Sequence, residues 1–178
     1  MKIVLFLYFE FTTLTNISYS NICIIKKEEF ILNDNYQNYD SQSPSNLLIN
    51  NIIEAMKDER HDRVKYFKMM QMTDDPEQIK QIKFAYDDEI KHYEMFQQIY
   101  YELTRRRLDI PMPNEIEKYN TFMDAVQSSI EGENKAVDLY REIFAQLDNR
   151  KLRDMVFEII TDEQEHANRF IYLYSMLK

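Results

Sequence analysis

Two places in this 178-residue sequence put a histidine three residues after a glutamate, Glu89 with His92 and Glu163 with His166, and an aspartate stands before each, Asp88 and Asp162. Residues at i and i+3 share one face of a helix, so each pair can present a carboxylate and an imidazole to the same point. Two further glutamates, Glu59 and Glu133, stand 30 residues before Glu89 and Glu163, and each opens a Glu-x6-Tyr element that ends at Tyr66 or Tyr140. One Glu-x-x-His is weak evidence, because such pairs arise on solvated helix faces. Two of them, at one distance from two Glu-x6-Tyr elements, are specific.

The spacing belongs to an internal duplication. Sliding the sequence by 74 positions without a gap lays Glu59 on Glu133, Tyr66 on Tyr140, Asp88 on Asp162, Glu89 on Glu163 and His92 on His166, with Phe96 on Phe170 and Tyr100 on Tyr174. The acidic matches fall inside apolar helical stripes: Ile52, Met56, Glu59, Arg63, Tyr66, Met70 in one block and Val126, Ile130, Glu133, Val137, Tyr140, Phe144 in its repeat. The other two stripes run Ile82, Tyr86, Glu89, Phe96, Leu103 and Val156, Ile160, Glu163, Phe170, Leu177. Four carboxylates gathered in one core repel one another and lose hydration, at several kcal/mol per ion, so protons or cations must compensate. Two divalent cations suit this arrangement, each taking one imidazole while glutamates bridge them. Oxygen and nitrogen donors without a thiolate fit iron or manganese, and zinc can occupy such a site.

The elements that must position these side chains are four helices, near 46–72, 76–106, 120–147 and 149–177, read from apolar residues three and four apart. Asp75 before Pro76 makes an N-cap with proline at the first helical position, Thr121 with Asp124 makes a capping pair, and Asp148 with Asn149 supplies the last turn. One glycine and four prolines in the whole chain favour long uninterrupted helices, so the fold class is all-α. Short turns make helices one and two antiparallel, and likewise three and four, giving an antiparallel four-helix bundle. If equivalent helices lie diagonally, the crossover from about 107 to 119 must run the bundle's length. Nearly extended at roughly 3.3 Å per residue it reaches about 40 Å, enough to span a helix of about 26 residues.

Residues 1–45 show no sustained helical period and end in a polar stretch from Asn33 to Ser45, so they read as an extension, disordered or partly processed, ahead of a bundle over 46–178. The opening apolar run is broken by Glu10, lacks a small-residue cleavage pattern, and falls far short of the roughly 20 residues of a membrane span. A formal charge of −9 repels a phosphate backbone, which excludes nucleic acid as a partner. The basic run Arg105 to Arg107 reads as a complement to a helix C-terminus. One cysteine, Cys23, rules out an internal disulfide framework or a four-cysteine metal ribbon, and a reducing cytoplasmic setting fits.

The two Glu-x6-Tyr and two Asp-Glu-x-x-His elements, spread across residues 47–177, resemble the ferritin-like superfamily, closest to its rubrerythrin-type branch. The resemblance implies a di-iron bundle, with Glu59 and Glu133 as terminal carboxylates, Glu89 and Glu163 as bridging ones, and His92 and His166 as nitrogen ligands. It implies reduction of hydrogen peroxide or dioxygen with oxidation of Fe(II), electrons from a separate donor protein, and a place in the response to oxidative stress. Iron storage or delivery, with a homo-oligomer, is the alternative activity, and a metal-stabilised structural or interaction protein is a third. A metal-bound imidazole needs an acceptor at its other nitrogen. Similar bundles assign Asp88 to His166 and Asp162 to His92, while Tyr66 and Tyr140 are placed to hydrogen-bond the ligating carboxylates. The chain departs from rubrerythrins in carrying Ala136 where an extra carboxylate often stands on the third helix, and in lacking a rubredoxin-like domain. Asp62 takes the corresponding place on the first helix and reads as solvated, and His61 as exposed.

Overall fold

A computed structural model describes residues 44–178. Of the extension expected over 1–45, only residues 44 and 45 fall within that range; the rest, Cys23 included, lies outside the described residues. Four helices follow, α1 (Asn46–Met70), α2 (Pro76–Thr104), α3 (Phe122–Gln146) and α4 (Arg150–Met176), with no strand among the described residues. The all-α four-helix bundle expected from the periodicity is the architecture observed. No helix among the described residues is long and apolar enough to cross a membrane.

Each helix begins where a short polar side chain takes up an amide that the helix itself leaves unpaired. Ser45 accepts from Leu48 N, Asp75 from the amides of Glu77 and Gln78, and Asn149 from Leu152 N. At α3 the bond is reciprocal, because Thr121 accepts from Asp124 N and Asp124 accepts from Thr121 N, each at 3.1 Å. The α2 helix stops at Arg105, whose left-handed backbone (φ 57°) turns the chain while its amide donates to Tyr101 O. Few non-glycine residues take this conformation, since Cβ crowds the following carbonyl.

The α1 helix packs on α2 and α3, and α4 packs on the same two, while α1 with α4 and α2 with α3 are the diagonals, meeting only through side chains such as Tyr66 with Phe170 and Phe96 with Tyr140. The equivalent helices of the duplication are therefore neighbours, which answers the diagonal case considered for the crossover. Tyrosines tie these neighbours together: Tyr66 donates to Glu133 and Tyr140 to Glu59 across the α1 and α3 pair. Side-chain pairs rise along one helix as they fall along the other: Ser45 with Gln146 and Ser129 with Met69 between α1 and α3, Lys91 with Glu158 and Arg169 with Gln81 between α2 and α4. From 105 to 121 the chain returns along α1 and α2, Leu108 meeting Gln97, Asp109 meeting Tyr93 and Arg60, Glu117 meeting His61, and Tyr119 meeting Ser128 on α3.

Two apolar clusters fill the interior. One holds Met56, Tyr93, Phe96, Val137, Tyr140 and Ile160, the other Tyr66, Ile82, Ala85, Val126 and Phe170. On every helix the acidic and histidine residues lie in sequence between members of the two. The inward stripe differs from the expected one toward the helix ends, where Met69 and Ile143 are buried and Met70 and Phe144 only half-buried. A straight helix at 3.6 residues per turn drifts against a fixed heptad count, which moves the stripe by one residue.

Candidate metal centre

Glu59 on α1, Glu89 and His92 on α2, Glu133 on α3, and Glu163 and His166 on α4 come together in the middle of the bundle, each 2% exposed or less. They form two overlapping groups, Glu59, Glu89, His92, Glu163 and Glu89, Glu133, Glu163, His166, in each of which one ligand atom per residue lies within 4.8 Å of the others. Glu89 and Glu163 belong to both. His92 turns Nδ1 inward, 3.0 Å from Glu163 and 3.7 Å from Glu59, and His166 turns Nδ1 inward, 3.0 Å from Glu163, 3.5 Å from Glu89 and 3.9 Å from Glu133. The two rings stand 5.8 Å apart between centroids.

The outward nitrogens are held across the α2 and α4 pair. His92 Nε2 donates to Asp162 at 3.2 Å, and His166 Nε2 to Asp88 at 3.2 Å. On the α1 and α3 side the tyrosine hydroxyls cross over in the same way, Tyr140 donating to Glu59 Oε1 at 2.6 Å and Tyr66 to Glu133 Oε1. Each tyrosine occupies one oxygen of the glutamate on the neighbouring helix and leaves the second oxygen turned toward the cluster.

Without a cation, protons carry the compensation. Burial and the neighbouring carboxylates of Glu163 and Glu59 push Glu89 well above the usual carboxylate range, and burial with Glu163 does the same to Glu133. Burial alone would lower His92, but Asp162, Glu163 and Glu59 around it overcome this and raise it to about 12. Burial opposes His166 likewise, yet Asp88 and Glu163 raise it to about 9. Burial also works against ionised Glu163, which the two imidazoles beside it nonetheless hold below the usual range. Burial leads the causes that push Tyr66 and Tyr140 well above a free phenol, so both remain donors.

The cluster fits a bound metal on one observation in particular. Glu59 Oε2, Glu89 Oε1, Glu163 Oε1 and His92 Nδ1 are buried with no hydrogen-bond partner, and they are all but one of such side-chain atoms among the described residues. Buried polar atoms are seldom left unpaired, and these converge on one space lined by oxygen and nitrogen donors. A third grouping, Asp88, His92 and Asp162, is already used: His92 Nε2 is bonded to Asp162, and the Lys91 ammonium lies 3.3 Å from the same carboxylate.

His61, expected on an exposed face, is half-buried and bridges Asp62 (2.9 Å) and Glu117 (2.6 Å). Bonding to Asp62 and then to Glu117 raises its imidazole to about 9 against the effect of burial. Asp62 is correspondingly half-buried, not solvated, because the crossover lies over it. Arg63 is half-buried at the bundle edge, its guanidinium carbon 5.9 Å from the Tyr86 ring centroid. Sequence reasoning missed Arg60 and Tyr93, which adjoin Glu59 and His92 and stack at 3.7 Å. A signal existed: both break the duplication, with Asn134 and Ala167 standing 74 positions on.

No protein-family model matches the chain. It is similar to the uncharacterized protein YhjR of Bacillus subtilis (strain 168), 28% identical over 127 residues that cover 71% of this chain and 86% of that protein.

Proposed function

We propose that this protein is a di-iron carboxylate oxidoreductase of the ferritin-like, rubrerythrin type, reducing hydrogen peroxide or dioxygen with electrons from a separate donor protein. The observation that carries the reading is the set of unpaired donor atoms on Glu59, Glu89, His92 and Glu163, sealed in the core and facing one space. Two iron ions held by Glu59, Glu89, His92, Glu133, Glu163 and His166 would supply the two electrons that a peroxide takes up, with two protons, on reduction to water. Donor type alone also admits manganese or zinc.

The chain's own residues do the rest. Glu89 and Glu163, common to both groups, would be shared by the two ions, and Glu59 and Glu133 would each hold one. Tyr140 and Tyr66 keep one oxygen of each terminal glutamate engaged, so that the other is presented in a fixed direction. Asp162 and Asp88 hold the imidazoles by Nε2, which orients Nδ1 and raises its basicity as a ligand. The apolar clusters on either side exclude bulk water, and in that low-dielectric space each fixed dipole acts strongly.

The test begins with protein purified without added metal, which should retain about two irons per chain, as the ligand set of such bundles requires. Anaerobic loading with Fe(II) followed by peroxide or dioxygen should produce ferric absorption in the near-ultraviolet, lost in Glu89→Ala. Protein that takes up no iron, or that shows no spectral change with either oxidant, would sink the proposal.

A further inference from the structure

We infer that the two metal positions are inequivalent: the one framed by Glu59 and His92 is clamped by the crossover and keeps its metal, whereas the one framed by Glu133 and His166 exchanges it. The inference rests on the two-metal reading above. Arg60 and Tyr93 directly follow Glu59 and His92, and the Arg60 guanidinium carbon sits over the Tyr93 ring, 3.7 Å from its centroid. Asp109 of the crossover locks the pair, accepting from Arg60 Nη2 at 3.2 Å and from Tyr93 OH at 2.6 Å, while Ile110 N donates to the same hydroxyl at 2.7 Å. Backbone motion at either ligand of the first position therefore has to break a charged stack and three hydrogen bonds.

The second position has no counterpart. Where the duplication would place the clamp stand Asn134, exposed and bonded only to Ile130 O of its own helix, and Ala167, which has no polar atom to offer. A thread of polar side chains also leads toward it from the surface. Glu117, 46% exposed, reaches His61, and His61 reaches Asp62, which lies one helical turn before the Tyr66 that bonds Glu133. In the other half Ala136 takes the place of Asp62, and Tyr93, Phe96, Val137 and Tyr140 pack apolar surface there. A hydrated cation sheds water only as other oxygens replace it, and the Glu117 and Asp62 carboxylates offer such oxygens on the way to the second position.

Loss of groups that support metal ligands lowers affinity roughly 10–100-fold, and the two positions should differ on that scale. Full-length protein loaded with two equivalents of Co(II) and mixed with excess chelator should lose its cobalt absorption in two phases, about one equivalent each. Arg60→Ala should bring the slow phase toward the fast one. Asp109→Ala, on the exposed crossover where folding is not at risk, should do the same, and Asn134→Ala should change neither phase. Glu133→Gln should remove the fast phase selectively. A single phase in the unaltered protein, a slow phase indifferent to both Arg60→Ala and Asp109→Ala, or loss of the slow phase in Glu133→Gln would overturn the inference. Uptake of fewer than two equivalents by the unaltered protein would overturn the two-metal reading along with it.

Discussion

Asp162 and Asp88 show how a residue outside a cluster can set what the cluster does. Each accepts from the Nε2 of a histidine on the neighbouring helix, at 3.2 Å, and so fixes which nitrogen faces inward. Asp162→Ala would free His92 Nε2 and let the ring turn, and metal affinity should fall roughly 10–100-fold. A competition titration with a chromophoric chelator measures this directly, and an unchanged affinity would reduce Asp162 to a surface aspartate. Both aspartates were legible in the sequence because an imidazole held by a metal demands an acceptor and the duplication offers one near each histidine, while the crossed pairing was implied by the resemblance to similar bundles. Arg60 and Tyr93 were not legible in that way. Their partner, Asp109, sits in an irregular segment whose path no periodicity specifies.

At the scale of elements, the chain is punctuated by local chemistry, and local chemistry can be read from sequence. The capping pair at Thr121 and the Asp75–Pro76 start of α2 stand where expected because a cap needs only its own next turn. Thr121→Ala would leave the Asp124 amide without its acceptor at the start of α3, and should cost about 1 kcal/mol in equilibrium denaturation. A change near zero would mean that water satisfies that amide equally well. Packing between elements is another matter. The duplication identified equivalent helices but left open whether they lie diagonally or side by side, and α1 packs on α3 and α2 on α4. Sequence periodicity states which face of a helix turns inward and carries no information about which other helix that face meets.

At the scale of the whole molecule, the buried charge makes stability and metal binding pH-dependent in opposite directions. In the metal-free protein His92 and His166 are raised to about 12 and about 9, half-buried His61 to about 9, and Glu89 and Glu133 also lie above their ordinary range. A group raised by folding contributes stability below its unfolded value and loses that contribution as pH climbs through its folded value. Between pH ~6.5, where a free imidazole titrates, and pH ~9 the metal-free melting temperature should therefore fall. Cations displace the same protons, so affinity should rise over this interval. The gap in melting temperature with and without saturating Mn(II) should widen with pH, as calorimetry at matched ionic strength would show. A gap that narrows would mean that protons are not what the cation replaces.

What the sequence alone determined is what depends on residue type and spacing: four helices, their starts, and the six acidic and histidine side chains that meet in the core. Those features follow from neighbours within a turn or two and from a repeat that can be counted along the chain. Tertiary structure decided which helices are adjacent, that Tyr66 and Tyr140 each serve the glutamate of the neighbouring helix, and that Asp109 of the crossover fixes Arg60 and Tyr93 beside Glu59 and His92 with no counterpart beside Glu133 and His166. These depend on contacts between residues far apart in the chain, whose geometry is set by packing the whole core at once.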